Sequence, residues 1–342
     1  MKVDFLIIGQ GIAGSTLALS LLERGKSVMV VDRQDEGSSS RVAAGLITPL
    51  TGKGMNPAWR QDRCLEFARK FYHQLESLSG RTFFHHQPVV RLFQNEKQQK
   101  KWERKRETHG KWGDTLESDR LSDLLSAPYG GIEMPDGAWL DTKVFLREVK
   151  ALLQSKTSWM EGDFSEDDVR IHEGVVAWNG VKADKIILCQ GAYGLGGDGW
   201  YGHVNHRSAK GEILTLRVNG LDENKRYHGN GWLAPRGGGV WKAGANYDWD
   251  RLDSVTTEEG KEEILEKLKT WMELPVEVIG HEAAVRPIIR NSQPVIGMHH
   301  EMPEVGFFNG LGSKGSLMAP AVADHFAEYL CGRCALDEEL ML

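Results

Sequence analysis

DFLIIGQGIAGSTLALSLLERGKSVMVVDR, residues 4 to 33, decides how the rest of the chain must be read. Val3 to Ile8 is a short apolar run of the kind that forms a strand buried on both faces. Gly9, Gly11 and Gly14 follow it at GxGxxG spacing, and a helical pattern opens with Ile12 and Ala13. The first glycine permits a tight turn, the second lets backbone approach a pyrophosphate, and the third lets the helix pack against the strand. The helix N-terminus then supplies amides and the positive end of a dipole. Ala18, Leu21 and Leu22 keep the inner helix face apolar, Gly25 ends it, and SVMVV returns as a second buried strand before Asp32 and Arg33. Asp32 lies 18 residues beyond Gly14. A carboxylate there accepts the ribose hydroxyls of an adenine dinucleotide and repels the extra phosphate of NADP. These residues leave FAD and NAD both open.

The composition frames that reading. With 342 residues, 40% of them hydrophobic and 26% charged, the chain is expected to be soluble and globular, with one or two domains. A formal charge of -6 argues against wholesale coating of nucleic acid or anionic membrane. Four scattered cysteines, Cys64, Cys189, Cys331 and Cys334, do not make a disulfide framework, so a reducing cytoplasm is the expected compartment. Cys331 and Cys334 have CxxC spacing but stand at the end of a predicted helix, where the dipole disfavours a thiolate; they read as inert thiols. No signal peptide and no spanning apolar stretch is expected. His85-His86 and His299-His300 invite a metal reading, yet adjacent histidines on a strand point to opposite faces and no acidic cluster accompanies them, so no metal site is expected. No Ser/His/Asp order or GxSxG elbow points to hydrolase chemistry.

Two further glycine turns bear on the choice of nucleotide. ADKIILCQGAYG (183–194) reads as a buried strand ending in Gly191 and Ala192, either an ordinary strand-end turn or small residues passing close to something flat. VGFFNGLGSKGSLMAPAVADHFAEYL (305–330) gives another strand, then Gly310, Gly312, Ser313, Lys314, Gly315 and Ser316, then an amphipathic helix carrying Leu317, Met318, Val322, Phe326 and Leu330. A second helix N-terminus behind glycines favours FAD, whose isoalloxazine must be gripped far from its adenine. A helix dipole near the ring would stabilise its anionic reduced form by roughly 0.3 to 2 kcal/mol.

The GxGxxG with Asp32, SSSRVAAGLITPL (38–50), IILCQGAYG, EAAVRPIIRNSQPVIG (282–297) and NGLGSKGSLMAP (309–320) resemble, in order and spacing, the D-amino-acid oxidase, glycine oxidase and sarcosine oxidase superfamily. The resemblance runs end to end. Within it, GLITPLTGKGMNPAWRQDRCLEFARKFYHQL, GWLAPR with AGANY, and GLGSKGSLMAP look most like the oxidase half of a bifunctional bacterial enzyme that matures a tRNA wobble uridine; a methyltransferase half is not expected here. The fold class this implies is α/β, a Rossmann-like FAD-binding domain with a second, mostly antiparallel α+β substrate domain. Residues 1–80, 140–205 and 285–342 fall to the first and 81–139 and 206–284 to the second.

The resemblance also distributes roles. Ser39, Ser40 and Arg41 would lie over the pyrophosphate, and Ala43, Ala44 and Gly45 near the ring. Arg286, followed by Pro287, would pair with a substrate carboxylate, a contact suited to a guanidinium fork. Lys242 would sit over the flavin and favour its reoxidation by oxygen, or else be a solvated or paired lysine; Tyr247 and Trp249 would wall the pocket or pack. Cysteine is absent from Gln190 to Leu330, so FAD is expected to be noncovalent. The expected partners are a small-molecule amine and oxygen or another acceptor. EKQQKKWERKRETHGKW (96–112), a basic run holding two tryptophans, reads as a solvated helix or, with tRNA as a second candidate partner, as an RNA contact.

Overall fold

The computed structural model describes residues 1–289 and 293–341. The opening stretch forms strand β1 (Lys2–Ile8), helix α1 (Ile12–Glu23) and strand β2 (Val28–Asp32). β1 pairs in parallel with β2 on one edge and with Val181–Leu188 on the other. Phe5 and Ile7 enter one core with Leu17 and Leu21 of α1, whereas Leu6 and Ile8 enter a second with Ile186 and Leu188. Two covered faces explain why the run reads as continuously apolar.

Trp159–Glu161 extends this sheet beyond β2. The strand Val181–Leu188 is shared: its start pairs antiparallel with Val175–Trp178, and its end pairs parallel with Val305–Asn309. Helix Gly315–Leu330 follows that last strand and packs on α1, where Arg24 pairs with Asp324 and Glu328, each at 2.6 Å. Pro320 inside this helix cannot donate to the carbonyl of Ser316. Tyr72, fully buried on helix Gln61–Ser79, donates its hydroxyl there instead at 3.0 Å.

A second eight-stranded sheet runs from Glu277–Arg286 through Ala209–Arg217, Val240–Gly244, Gly231–Gly237, Arg226–Gly229, Val89–Leu92 and Gly131–Met134 to Asp114–Leu116. Its pairs are antiparallel except Arg226–Gly229 with Val89–Leu92. Leu214, Leu216 and Trp241 pack beneath Ile264 and Leu268 of helix Glu258–Lys269. The mixed α/β architecture is thus the one predicted, a Rossmann-like sheet with a parallel centre beside a mostly antiparallel one.

A small sheet joins Leu46–Ile47, Ala138–Leu140 and Phe84–His86, so Phe84–His86 belongs to neither large sheet. Arg226, fully buried, ties this small sheet to the large antiparallel one. Its Nη1 donates to Ala138 O at 3.0 Å and its Nη2 to Ile47 O at 2.8 Å and Thr48 Oγ1 at 3.1 Å.

His299 and His300 depart from expectation. Strand Val295–Met298 has ended before them, so strand alternation does not apply and their rings stack at 4.7 Å. Among the described residues no three His, Cys, Asp or Glu side chains are grouped to hold a metal, and no helix is long and apolar enough to cross a membrane.

The contact between α1 and its turn allows no side chain at Gly14, where a Cβ would stand 1.9 Å from the carbonyl oxygen of Gly9. Gly14→Ala is expected to cost about 3 kcal/mol or more. A thermal melt should show Tm falling by roughly 5 °C or more, and an unchanged Tm would contradict this packing.

Candidate functional site

A cavity of about 1210 Å³ is walled by residues of both large sheets and of the small one. Gly9, Gly11, Ile12 and Ala13 bring the turn after β1 to its edge. Gly9 is required there: its φ is +100°, and a Cβ would meet Cys189 O at 2.6 Å. Gly14 stands behind the cavity wall, in the packing role assigned to it. Helix α1 starts with no side-chain cap of its own and no acid in its first turn. Ser40 Oγ accepts from the Ile12 amide at 3.0 Å, and the next amides remain as donors.

Asp32 is fixed by backbone: Oδ2 accepts from Gln10 N and Oδ1 from Gln34 N, both at 2.7 Å. Ser39 and Arg41 line the same region, where the Arg41 guanidinium pairs with Glu36 at 2.9 Å and Asp32 at 3.5 Å. Arg33 stacks over the Tyr193 ring at 3.8 Å and pairs with Asp35 at 3.2 Å. This end of the cavity holds acid and base in partnership.

Ala43, Ala44 and Gly45 form another wall. Their carbonyls are all turned to protein donors: Thr142 Oγ1 at 3.2 Å, Arg236 Nη2 at 2.8 Å and Leu140 N at 3.0 Å. Burial pulls the Arg236 guanidinium down to about 10. Gly191 and Ala192 approach from the adjacent strand end, and Asn309 Nδ2 donates to Gly191 O at 2.7 Å. Gly312, Ser313, Lys314, Gly315 and Ser316 line the cavity. Gly310 does not, and serves the backbone turn packed on Ile289. Helix Gly315–Leu330 also begins without a side-chain cap or a first-turn acid. Burial lowers the pKa of the adjoining Lys314.

Arg286 lines the cavity with its guanidinium 4.3 Å from the centre of the Tyr247 ring. Only Nη1 is engaged, donating to Lys210 O and Asn246 O at 3.3 Å each, and no carboxylate pairs with it among the described residues. Burial lowers its pKa. Trp249 stacks on Tyr247 at 5.7 Å, with Arg207 4.6 Å over it. Lys242 is a correction. It does not line the cavity; its ammonium pairs with Glu282, two strands across the sheet, which also holds Lys143 at 2.8 Å. Of the EAAVRPIIRNSQPVIG segment, residues 290–292 lie outside the described residues.

Several functional positions escape sequence reading. Gly211, opposite Ala284 in the sheet, makes the space for Arg286: a Cβ there would meet Nη2 at 1.8 Å. Arg91 lines the cavity beside His228 and Trp232, which lie on one hairpin far from it in the chain. Gln10, inside the first glycine motif, anchors its side chain on Leu146 O at 2.8 Å. Only Gln10 had a local signal, its place between two motif glycines.

Two uncapped helix N-termini, a carboxylate at the end of β2 and small-residue walls fit an FAD molecule. Cys189, buried and with its thiol pushed up by burial, offers no thiolate to it.

A family model described as FAD dependent oxidoreductase, DAO, matches residues 4–329. The tRNA 5-methylaminomethyl-2-thiouridine biosynthesis bifunctional protein MnmC of Marinobacter nauticus is 24% identical over 358 residues. That alignment covers 95% of this chain, which spans 55% of the relative's length. Among solved structures, glycine oxidase from Bacillus cereus superposes with a TM-score of 0.80 at 20% identity, covering 97% of this chain and 96% of that one. Iminodiacetate oxidase from Chelativorans sp. BNC1 gives 0.79 at 19%, covering 99% and 98%. At such identities the structural likeness shows the fold.

Gly211→Ala is expected to push the Arg286 guanidinium aside and weaken binding of propionate about tenfold or more, one charge-assisted contact being lost. Calorimetric titration checks this; equal affinity in the variant would mean the guanidinium does not meet the carboxylate.

Proposed function

This chain belongs to the DAO family of FAD-dependent oxidoreductases, and from that premise we propose that it oxidises the C–N bond of a carboxylated primary or secondary amine. A glycine-like unit, an N-alkyl glycine or a D-amino acid is the substrate class. The observation that carries this reading is Arg286, a cavity-lining guanidinium with unused donors and no acidic partner among the described residues.

When bound, FAD supplies the two-electron acceptor for hydride from the amine's α-carbon. Arg286 holds the substrate carboxylate and thereby fixes which carbon is presented. Tyr247 braces the guanidinium from its face, and the carbonyls of Lys210 and Asn246 hold its Nη1. The N-terminal amides of helix Gly315–Leu330 would offer donors and a positive dipole end to the flavin ring. Ser40, Gly11 and the first turn of α1 would hold the pyrophosphate, and Asp32 the ribose. Water then hydrolyses the imine product, and oxygen or another acceptor completes the cycle. Positioning and electrostatics supply the rate, with no acid/base triad required. The printed activities of glycine oxidase and iminodiacetate oxidase support the amine class. On this reading the sheet built on β1 serves the cofactor and the antiparallel sheet the substrate.

A second reading has its own observation. Gln98 of helix Glu96–His109 lines the cavity, and Lys101 Nζ donates to the carbonyl of Lys53, another lining residue, at 3.1 Å. A cationic helix at the cavity edge, with the relative named for tRNA modification, supports a carboxymethylaminomethyl uridine of tRNA as substrate. Trp102 does not contribute, being fully buried with Nε1 bonded to Thr115 Oγ1 at 2.9 Å.

Anaerobic mixing with glycine, N-alkyl glycines and D-amino acids is expected to bleach the flavin band with at least one class; bleaching by none would end the amine reading. Arg286→Lys should raise KM about a hundredfold for the amine that bleaches, some 3 kcal/mol of bidentate pairing, while an unchanged KM would remove Arg286 from the site. For the second reading, replacing Lys97, Lys101 and Lys105 by alanine should weaken tRNA binding and flatten its salt dependence. Binding equal to wild type would discard it.

A further inference from the structure

One cross-strand row spans the cavity face of the antiparallel sheet. Glu282, Ile213, Gly244, Trp232, His228 and Arg91 stand opposite one another on six neighbouring strands. Register partners on adjacent strands project to one face, at about 4.8 Å per strand. Ile213, Trp232, His228 and Arg91 accordingly line the same cavity. A Cβ on Gly244 would touch the Trp232 ring at 2.7 Å, so the indole lies across that position. The row is apolar in its middle and ends in an imidazole beside a guanidinium.

That end has unused hydrogen-bonding capacity. Arg91 donates from Nη2 to Gly52 O at 2.8 Å and weakly from Nη1 to Leu50 O at 3.5 Å, and no carboxylate pairs with it among the described residues. His228 Nε2 is closed off from solvent and has no hydrogen-bond partner among the described residues. Burial and the Arg226 and Arg91 charges hold the imidazole's pKa well below its usual value, so the ring is neutral. A buried polar atom without a partner is costly, and because water does not reach this one, a ligand in the cavity completes it only after the ring turns about its Cβ–Cγ bond. The acids that line this cavity include Asp32, Asp35 and Asp253, and Asp253 is committed to Lys210 at 2.7 Å. Arg286 lies five strands from Arg91, about 24 Å across an untwisted sheet, and four residues along its own strand from Glu282. One small carboxylate cannot serve both guanidinia.

We propose that Arg91 and His228 form a second anion subsite, and that the substrate is an amine carrying one carboxylate for Arg286 and a distal carboxylate or phosphate-like group for Arg91 and His228. Trp232, midway along the row, supplies an apolar floor for the chain between the two anions. The inference deepens the amine-oxidation reading by naming its substrate class, but the binding geometry it invokes does not require turnover.

The test is therefore made by binding. Wild-type holoenzyme is titrated calorimetrically with α,ω-dicarboxylates from succinate to hexadecanedioate, with monocarboxylates of equal length, and with ω-phosphonocarboxylates. At one or more lengths the dianion is expected to bind about tenfold or more tightly than its monoanionic counterpart, the worth of one charge-assisted pair. The dicarboxylate and phosphonate arms decide which anion is preferred. Arg91→Gln, and separately His228→Asn, should bring that ratio toward one. Equal affinity of dianion and monoanion at every length in wild type overturns the proposal without any variant, as does a ratio that survives in a folded Arg91→Gln protein. If amines fail to bleach the flavin while the dianion preference stands, only the reaction assigned to the site is wrong. If amines bleach it and the preference is absent, only the second subsite is.

Discussion

Gly14 meets the carbonyl of Gly9 with no side chain between them, and this contact sets the angle at which α1 leaves β1. The uncapped first turn of α1 consequently faces the cavity, where Ser40 Oγ reaches the Ile12 amide. The same turn carries the Gln10 amide that Asp32 accepts, so the acid at the end of β2 is aimed by the loop it serves. The amides at the start of α1 and the Asp32 carboxylate are therefore positioned through one turn. Pro320 shows the same economy in the last helix: the bond that proline removes is replaced by Tyr72, which locks helix Gln61–Ser79 against it.

Charge is sorted along the cavity. Near β2, Asp32, Asp35 and Glu36 neutralise Arg33 and Arg41. Across the antiparallel sheet, Arg286 and Arg91 face the cavity with backbone carbonyls as their partners among the described residues. Arg226 and Arg236 act differently, as buried struts for the carbonyls of Ile47, Ala138 and Ala44. Burial brings their pKa values down to about 9 and about 10, still above neutrality, so both stay charged at pH 7. A region rich in positive charge and poor in acid, beside two positive helix ends, suits both an anionic substrate and a ring that gains negative charge on reduction.

Much of the fold was legible because its signals are local. The β1–α1–β2 unit, the strand before Gly310 and the helix after it, and the basic helix at Glu96–His109 all follow from periodicity and glycine placement within a few turns of chain. The cavity-lining residues in the two glycine loops were legible for the same reason. Lys242 was legible only as two alternatives, a lysine over the flavin or a solvated or paired one, and its ammonium is committed to Glu282, forty residues later and two strands across the sheet. Nor did adjacency predict the stacking of His299 and His300, since alternation holds only while a strand continues.

The amino-acid sequence by itself determined that a dinucleotide turn opens the chain, that a second helix N-terminus closes it, and that an arginine precedes Pro287, because each depends on neighbouring residues. Only the tertiary structure decided that Gly211 clears a place for Arg286, that Lys242 is neutralised outside the cavity, and that Arg91 and His228 share one row. Those outcomes rest on cross-strand register, which brings together residues as far apart as 91 and 228 through the packing of the whole sheet.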